Sequence, residues 1–457
     1  MHYRNGGYSN AHCITTNYKQ MKFYDRENEL QLLGLIKERS ATKAQMTIVV
    51  GRRRIGKTSL LRKSVENDAT ALYFFVNRKS EILLCEEFKE EIERKLATRI
   101  FGSVTKFKDL FQFLMELSET RNFTLIIDEF QEFNFVNPSI YSEMQNIWDS
   151  YKEKSKINLI LCGSIYSMMK KIFENSKEPL FGRATERLNI KAFNVNTLKE
   201  ILTDNYPKFE VEDLLAFYAF TGGVAKYVEQ LIDKEAFTLS AILDEILREN
   251  SLFIDEGRNV LIEEFGKDYA TYFSILSLIA LSKTSRPEIE SILEISIGGY
   301  LERLENDFNL IQKVRPIFSK SGGRNVKYAI VDNFLNFWFR FIYKNQSAVE
   351  IGNFKYLRTI IDRDYPTFSG KILERYFAMK LSALQLYSAM GSYWEKGNQN
   401  EIDIVAVNEL EKTVLFAEVK RKSENISIPV LKQKSNNLQN QLPGYVAEFK
   451  GFSMEDM

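Results

Sequence analysis

The stretch MTIVVGRRRIGKTSLLRKSV, residues 46–65, constrains this chain more than any other. A β-branched run from Thr47 to Val50 meets Gly51. Four residues later comes Gly56-Lys57-Thr58, and then the apolar spacing of a helix. G-x-x-x-x-G-K-T between a strand and a helix is the setting in which this pattern cradles phosphate. Gly51 and Gly56 let the backbone turn its N–H groups inward, and the helix N-terminus adds its positive end. Lys57 is expected to reach the β- and γ-phosphates, and Thr58 to give a hydroxyl to Mg²⁺. Arg52, Arg53, Arg54, Ile55 and Ser59 complete the expected cradle. The bland alternative is a Gly-bearing turn that binds nothing.

A second element fits the first. FTLIIDEFQEF carries a continuous apolar run, Phe123 to Ile127, which reads as a buried parallel strand. Asp128 and Glu129 close it, where open α/β sheets bind ligands. Asp128 is expected to hold Mg²⁺ through its water shell and Glu129 to polarise the attacking water. A third strand, INLILC, leads to Ser164. That serine reads either as a contact to the γ-phosphate or its water, or as a helix N-cap. Arg183 and Arg187 follow a glycine in FGRATER. Arg183 reads as a finger offered to a neighbour's nucleotide or as a solvated surface arginine.

The bulk numbers set limits. A chain of 457 residues suggests about three domains. A formal net charge of +1 gives no global basic field, so any nucleic-acid contact must be local. No apolar run reaches the length of a membrane span. Residues 1–21 read as a disordered tail without a secretory signal. Three cysteines, Cys13, Cys85 and Cys162, fit neither a disulfide framework nor a zinc site, which suggests a reducing, cytoplasmic setting. The only histidines are His2 and His12, both in the tail. Chemistry that needs a histidine base or ligand is thereby disfavoured, leaving carboxylates, lysine, arginine and a metal.

In order along the chain, FYDRENELQLL, GRRRIGKTSLL, LIIDEFQEF, LCGS, PLFGRATERL and FTGGVAKYV resemble the archaeal-type ATPases of the P-loop AAA+/STAND group. The resemblance runs from Met21 over nearly the whole chain. It implies ATP with Mg²⁺ as the cofactor. It places the segment of Tyr24 and Arg26 beside the adenine, and a helical lid over about 194–258. Gly222-Gly223 would close over the nucleotide. The family usually shows Gly-Gly-x-Pro, and Ala225 stands at the proline position here, so no role passes to Lys226.

Beyond about residue 259 the pattern gives three amphipathic helices and two strand-like pieces joined by SKSGGRN, with Lys320 and Arg324 at the tip. This is a winged helix-turn-helix, as the resemblance also implies. It would serve DNA binding or act as a packing module, and the acidic third helix, IGGYLERLEND, suits phosphate poorly. The aromatic run DNFLNFWFRFIYKNQ would stack bases or, more in keeping with its size, lie buried against the ATPase.

In the last hundred residues, EIDIVAV and LFAEVK read as neighbouring strands. Strand alternation puts Glu418 and Lys420 on one face, with Asp403 able to join them across an antiparallel pair. Such carboxylates bind Mg²⁺, and Glu374 on the preceding helix could add a third. Ordinary surface charge on a hairpin is the alternative. A helix Glu, a strand Asp and a Glu-x-Lys resemble the PD-(D/E)XK nuclease superfamily. That resemblance implies Mg²⁺ or Mn²⁺ at Glu374, Asp403 and Glu418, with Lys420 as catalytic lysine.

The expected chain is therefore α/β. It comprises a tail (1–21), a P-loop NTPase core of AAA+ type (22–193), a helical lid (194–258), a winged helix (259–345) and a restriction-endonuclease-like domain (346–457). The expected partners are ATP, DNA and further copies of the chain, with no membrane. The expected function is an ATPase that gates a metal-dependent nuclease. The alternative is a nucleotide-switched DNA- or protein-binding scaffold with a dead nuclease fold.

Overall fold

The computed structural model describes residues 21–320, 323 and 325–457. The tail with His2, His12 and Cys13 lies outside the described residues, as do Gly322 and Arg324 of the expected loop tip. The first sheet holds β1 (Gln45–Val50), β2 (Leu72–Phe75), β3 (Phe123–Asp128), β4 (Ile157–Cys162) and β5 (Glu186–Asn189). Their order is β2-β3-β4-β1-β5, and all neighbours run parallel. Every residue of β3 and β4 is buried, because helices cover both faces. The carboxyl ends of β1, β4 and β3 thus lie side by side, and the phosphate loop and Asp128 leave from them.

Four helices follow, Val195–Asn205, Val211–Thr221, Ala225–Asp233 and Leu239–Ile246. The second is buried at every position from Asp213 to Thr221. A helix apolar all round has to sit at the centre of other elements. After the helix Leu252–Phe265 come three more, Tyr269–Ala280, Arg286–Leu293 and Gly298–Asn306. The antiparallel ribbon of β6 (Ile311–Val314) and β7 (Lys327–Ile330) closes this region.

The aromatic run after Asp332 is buried, so its rings are not offered to bases. Phe334, Phe337, Trp338, Phe339 and Phe341 are each at most 3% exposed. Trp338 donates its Nε1–H to Ile254 O (2.7 Å), and its indole fills the space where a side chain at residue 257 would stand. Five residues, Trp338–Ile342, form a π-turn between short helices, a local feature that sequence periodicity does not announce.

The helix Phe354–Ala383 runs 30 residues straight through Pro366. Proline costs a helix one hydrogen bond and a clash. Burial of Leu357, Ile361, Tyr365 and Phe368 on both sides of it offsets that cost. Next come β8 (Ala389–Tyr393), β9 (Ile402–Asn408), β10 (Thr413–Val419), the helix Ile428–Gln439 and β11 (Val446–Phe452). The sheet order is β11-β10-β9-β8, antiparallel except for the parallel pair β10/β11 that the helix connects.

Ile404, Ala406, Leu415, Ala417 and Val419 join one large core with the lid and the long helix, whereas Val405, Val407, Val414 and Phe416 form a second core on the other face. The C-terminal region therefore packs on the helices Val195–Asn205 to Leu239–Ile246 over a continuous apolar face. Arg421 pairs with Glu212 of the lid (2.5 Å), and Lys199 donates to Met457 O (3.2 Å).

Candidate functional site

Gly56, in the left-handed region at φ 95°, starts the helix Lys57–Ser64. Left-handed backbone there costs glycine nothing, and it aims the helix N-terminus at the space above the sheet. That space is a cavity of about 420 Å³ walled by Met21–Tyr24, Arg26, Arg53–Ser59, Asp128, Glu129 and Ser164, with Phe193, Ala225 and Lys226 on the lid side. Tyr24 and Arg26 line this cavity. Gly51 and Arg52 do not reach the wall: their carbonyls accept from Lys57 Nζ at 2.8 and 3.0 Å. Lys57 is 6% exposed, and burial pulls its ammonium below the usual lysine range, against Cys162, Glu129 and Asp128.

Thr58 Oγ1 donates to Asp128 Oδ2 (2.9 Å), so a hydroxyl and a buried carboxylate share one point at the cavity floor. This oxygen pair fits a hard divalent cation. When bound there, Mg²⁺ would neutralise phosphate charge, and Thr58 and Asp128 are the residues that would hold it. Glu129 lies in the left-handed region at φ 55°, and its Oε2 accepts from the Ser164 hydroxyl (2.6 Å) and from Gln131 Nε2 (2.6 Å). Ser164 caps no helix: Ile165 holds the N-cap position of Tyr166–Glu174, and Ser164 instead tethers Glu129 at the cavity edge. Arg183 stands outside the cavity wall, paired with Asp149 (2.9 Å), and Arg187 pairs with Glu174.

The helices that follow the first sheet contact the loop directly. Lys226 N donates to Arg54 O (3.1 Å), and Phe193 N to Gly223 O (2.8 Å). The loop arginines reach further. Arg52 forms an ion pair with Asp332, the residue that caps the helix Asn333–Phe337. Arg54 forms another with Glu256 on the helix Leu252–Phe265, a buried acid that also accepts from Tyr227 (2.9 Å). Burial raises Glu256 above the usual carboxylate range despite Arg54. Asn333 Oδ1 then accepts from Arg375 (3.0 Å), which neighbours Glu374 in the long helix. Sequence reading missed these pairs, since nothing local marks an arginine's partner 280 residues away.

The C-terminal sheet brings Asp403, Glu418 and Lys420 together. Lys420 Nζ lies 3.5 Å from both carboxylates. Asp403 also accepts from Val419 N (2.8 Å), and Glu418 from Lys434 (3.2 Å) and Ser427 N (3.3 Å). Burial raises Glu418, but the Ser427 N–H, Lys420 and Lys434 outweigh it and leave the carboxyl below its usual range. Glu374 pairs instead with Lys371 (2.9 Å). Burial, reinforced by Asp403 and Glu401 and opposed by Lys371, pushes it up to about 7. Among the described residues no three acids, cysteines or histidines form a set that could hold a metal ion. The expected three-carboxylate centre at Glu374, Asp403 and Glu418 is therefore not found among them, and each of the three carboxylates has a lysine partner.

Comparison with known proteins agrees with the nucleotide site. A family described as "ATPase domain predominantly from Archaea" matches residues 23–231, and one described as "Archaea bacterial proteins of unknown function" matches residues 338–436. An uncharacterized protein of Methanocaldococcus jannaschii, MJECL04, is 31% identical over 409 residues, 88% of each chain. Among solved structures, the Walker-type ATPase PABY2304 of Pyrococcus abyssi superposes with a TM-score of 0.54 at 18% identity, over 69% of this chain and 96% of that one. No helix among the described residues is long and apolar enough to cross a membrane. With the phosphate loop, the Thr58–Asp128 pair and a relative matched over most of its length, the chain belongs to the archaeal P-loop ATPases.

Proposed function

We propose that this ATPase is a nucleotide-operated switch that carries a DNA-binding C-terminal half. The observation that carries the reading is the pairing of the phosphate loop with distant modules, Arg52 to Asp332 and Arg54 to Glu256. A polyphosphate arriving in the cavity brings several negative charges beside Arg54 on its wall. It competes with Glu256 for Arg54 and so acts on the loop that also carries Arg52 and its pair with Asp332, and a ligand shifts an equilibrium by its differential interaction with the two states. Three helices and a ribbon, read as a winged helix, and a mixed four-stranded sheet behind a long helix, read as a nuclease-like fold, are then repositioned together.

Two features support DNA as the partner: the αβββαβ order of the C-terminal region and the lysines Lys371, Lys420 and Lys434 grouped with its acids. The lysine-paired carboxylates favour binding over cutting. Buried free cysteines Cys85 and Cys162 agree with a reducing, cytoplasmic setting.

The test is retention of the full chain on duplex DNA at low salt with ATP, with ADP and without nucleotide, beside Lys57→Ala and Asp332→Asn. Retention is expected to depend on nucleotide in wild type. It should lose that dependence in both variants. DNA is expected to stay intact with Mg²⁺ or Mn²⁺. No retention under any nucleotide sinks the DNA reading in favour of a protein partner. Cutting that Asp403→Ala abolishes restores the gated nuclease.

A further inference from the structure

The nucleotide site contains a hydroxyl that no phosphate-loop motif supplies. Tyr73 stands on β2, opposite Ile126 of β3, between the fully buried Leu72 and Phe74. Its hydroxyl donates to Asp128 Oδ2 at 2.5 Å, the same oxygen that receives Thr58 Oγ1 at 2.9 Å. Asp128 Oδ1 meanwhile accepts from Glu129 N (2.9 Å). Both oxygens are thus held, and the carboxylate plane is fixed by donors from three elements. A phenol is protonated at neutral pH, so it stands as a donor to this carboxylate.

Tyr73 is itself held. The Arg62 guanidinium lies 5.3 Å from the ring centroid. Arg62 and Thr58 are four residues apart on the helix Lys57–Ser64, so they share a face. One helix face therefore grips the tyrosine at its ring and meets its hydroxyl partner at Asp128. Losing a group that orients a ligating side chain typically weakens metal affinity about 10–100-fold.

Resting on the nucleotide-site reading, we propose that Tyr73 is a positioning residue for Mg²⁺: its hydroxyl sets the Asp128 carboxylate so that Thr58 and Asp128 meet the ion already aligned. Tyr73 touches neither nucleotide nor ion. It acts through Asp128, so its effect belongs to the metal-dependent part of binding and not to phosphate capture by Lys57.

The experiment uses the full chain and a fluorescent ATP analogue titrated in EDTA and in Mg²⁺, with Tyr73→Phe, Asp128→Asn and the double variant. Tyr73→Phe is expected to leave the EDTA affinity within about twofold of wild type while cutting the gain on adding Mg²⁺ by about tenfold, the usual scale for such second-layer partners. The Mg²⁺ concentration for half-maximal hydrolysis should rise by about the same factor. In the Asp128→Asn background Tyr73→Phe should add nothing, as expected of groups acting in one chain of contacts. Unchanged Mg²⁺ dependence overturns the proposal. So does an undiminished effect without the Asp128 carboxylate, or a Tyr73→Phe chain that fails to fold. Wild type that binds no nucleotide in either condition is a different result, because it overturns the nucleotide site itself.

Discussion

The molecule has two places where a lysine and carboxylates gather at strand ends, and they are built oppositely. At the nucleotide site Lys57 Nζ donates to the backbone carbonyls of Gly51 and Arg52, while Asp128 receives neutral donors that include Thr58, Tyr73 and a backbone N–H. In the C-terminal cleft Lys420 lies 3.5 Å from both Asp403 and Glu418, and Lys434 and Lys371 attend Glu418 and Glu374. A carboxylate ready for a divalent cation has no ammonium group directly paired with it. One already paired must give up that pairing before a metal gains from it. The same residue types thus make a metal-ready floor in one region and a self-neutralised cleft in the other.

The largest effect expected from this contrast is at Lys57. Lys57→Ala removes the buried cation of the phosphate loop, and hydrolysis of ATP should fall by roughly 10²–10³-fold, on the scale of losing a positioned electrostatic group. Asp403→Ala in the same assay should leave hydrolysis nearly unchanged. If the two variants lose ATPase activity alike, the regions are one catalytic unit and the comparison breaks.

A smaller effect is expected where the lid meets the loop. A Cβ on Gly223, whose φ is 74°, would lie 2.2 Å from Phe193 O. Gly223→Ala should destabilise the fold by about 2–4 kcal/mol, from backbone strain and steric conflict together. Urea unfolding checks it. Loss of nucleotide affinity beyond what the lower stability explains would show that lid closure is part of the site. An unchanged unfolding midpoint would mean that the lid yields, and that the nucleotide region is the looser of the two.

How much of this was legible follows from where each interaction lives in the chain. The phosphate loop and Asp128 were readable because strand, loop and helix are contiguous, and phosphate chemistry leaves a short pattern. Asp403, Glu418 and Lys420 were readable as a cluster because strand alternation sets the facing. Their neutralisation was not, because Lys434 comes from a helix whose docking no local rule fixes. Tyr73 looked like any strand aromatic, and Arg52 like a loop cation, since their partners Asp128 and Asp332 are set by tertiary packing. The helix through Pro366 and the π-turn at Trp338–Ile342 escaped for the related reason that burial overrode local preference.

The mildest perturbation sharpens the cleft's side of the comparison through pH. Glu374 has its carboxyl pushed up to about 7 from an ordinary 4.5, first by burial and then by Asp403 and Glu401, against Lys371. Between those values the folded chain binds more protons than the unfolded one. This group's contribution is therefore fully present below about 4.5 and lost as pH rises through about 7. Glu374→Gln keeps the shape and removes the titration. Relative to wild type it should gain about 1–3 kcal/mol of stability on going from pH 5 to pH 8, the scale of a shift of a few pKa units in a partly exposed group. Chemical unfolding at the two pH values reads it. Adding Mg²⁺ at pH 8 gives the discriminating step. A cleft neutralised by its own lysines leaves the wild-type midpoint where it was. Stabilisation by Mg²⁺ that Glu374→Gln and Asp403→Asn both abolish would mean that the ion displaces Lys371 and Lys420, and that the two regions are built alike after all.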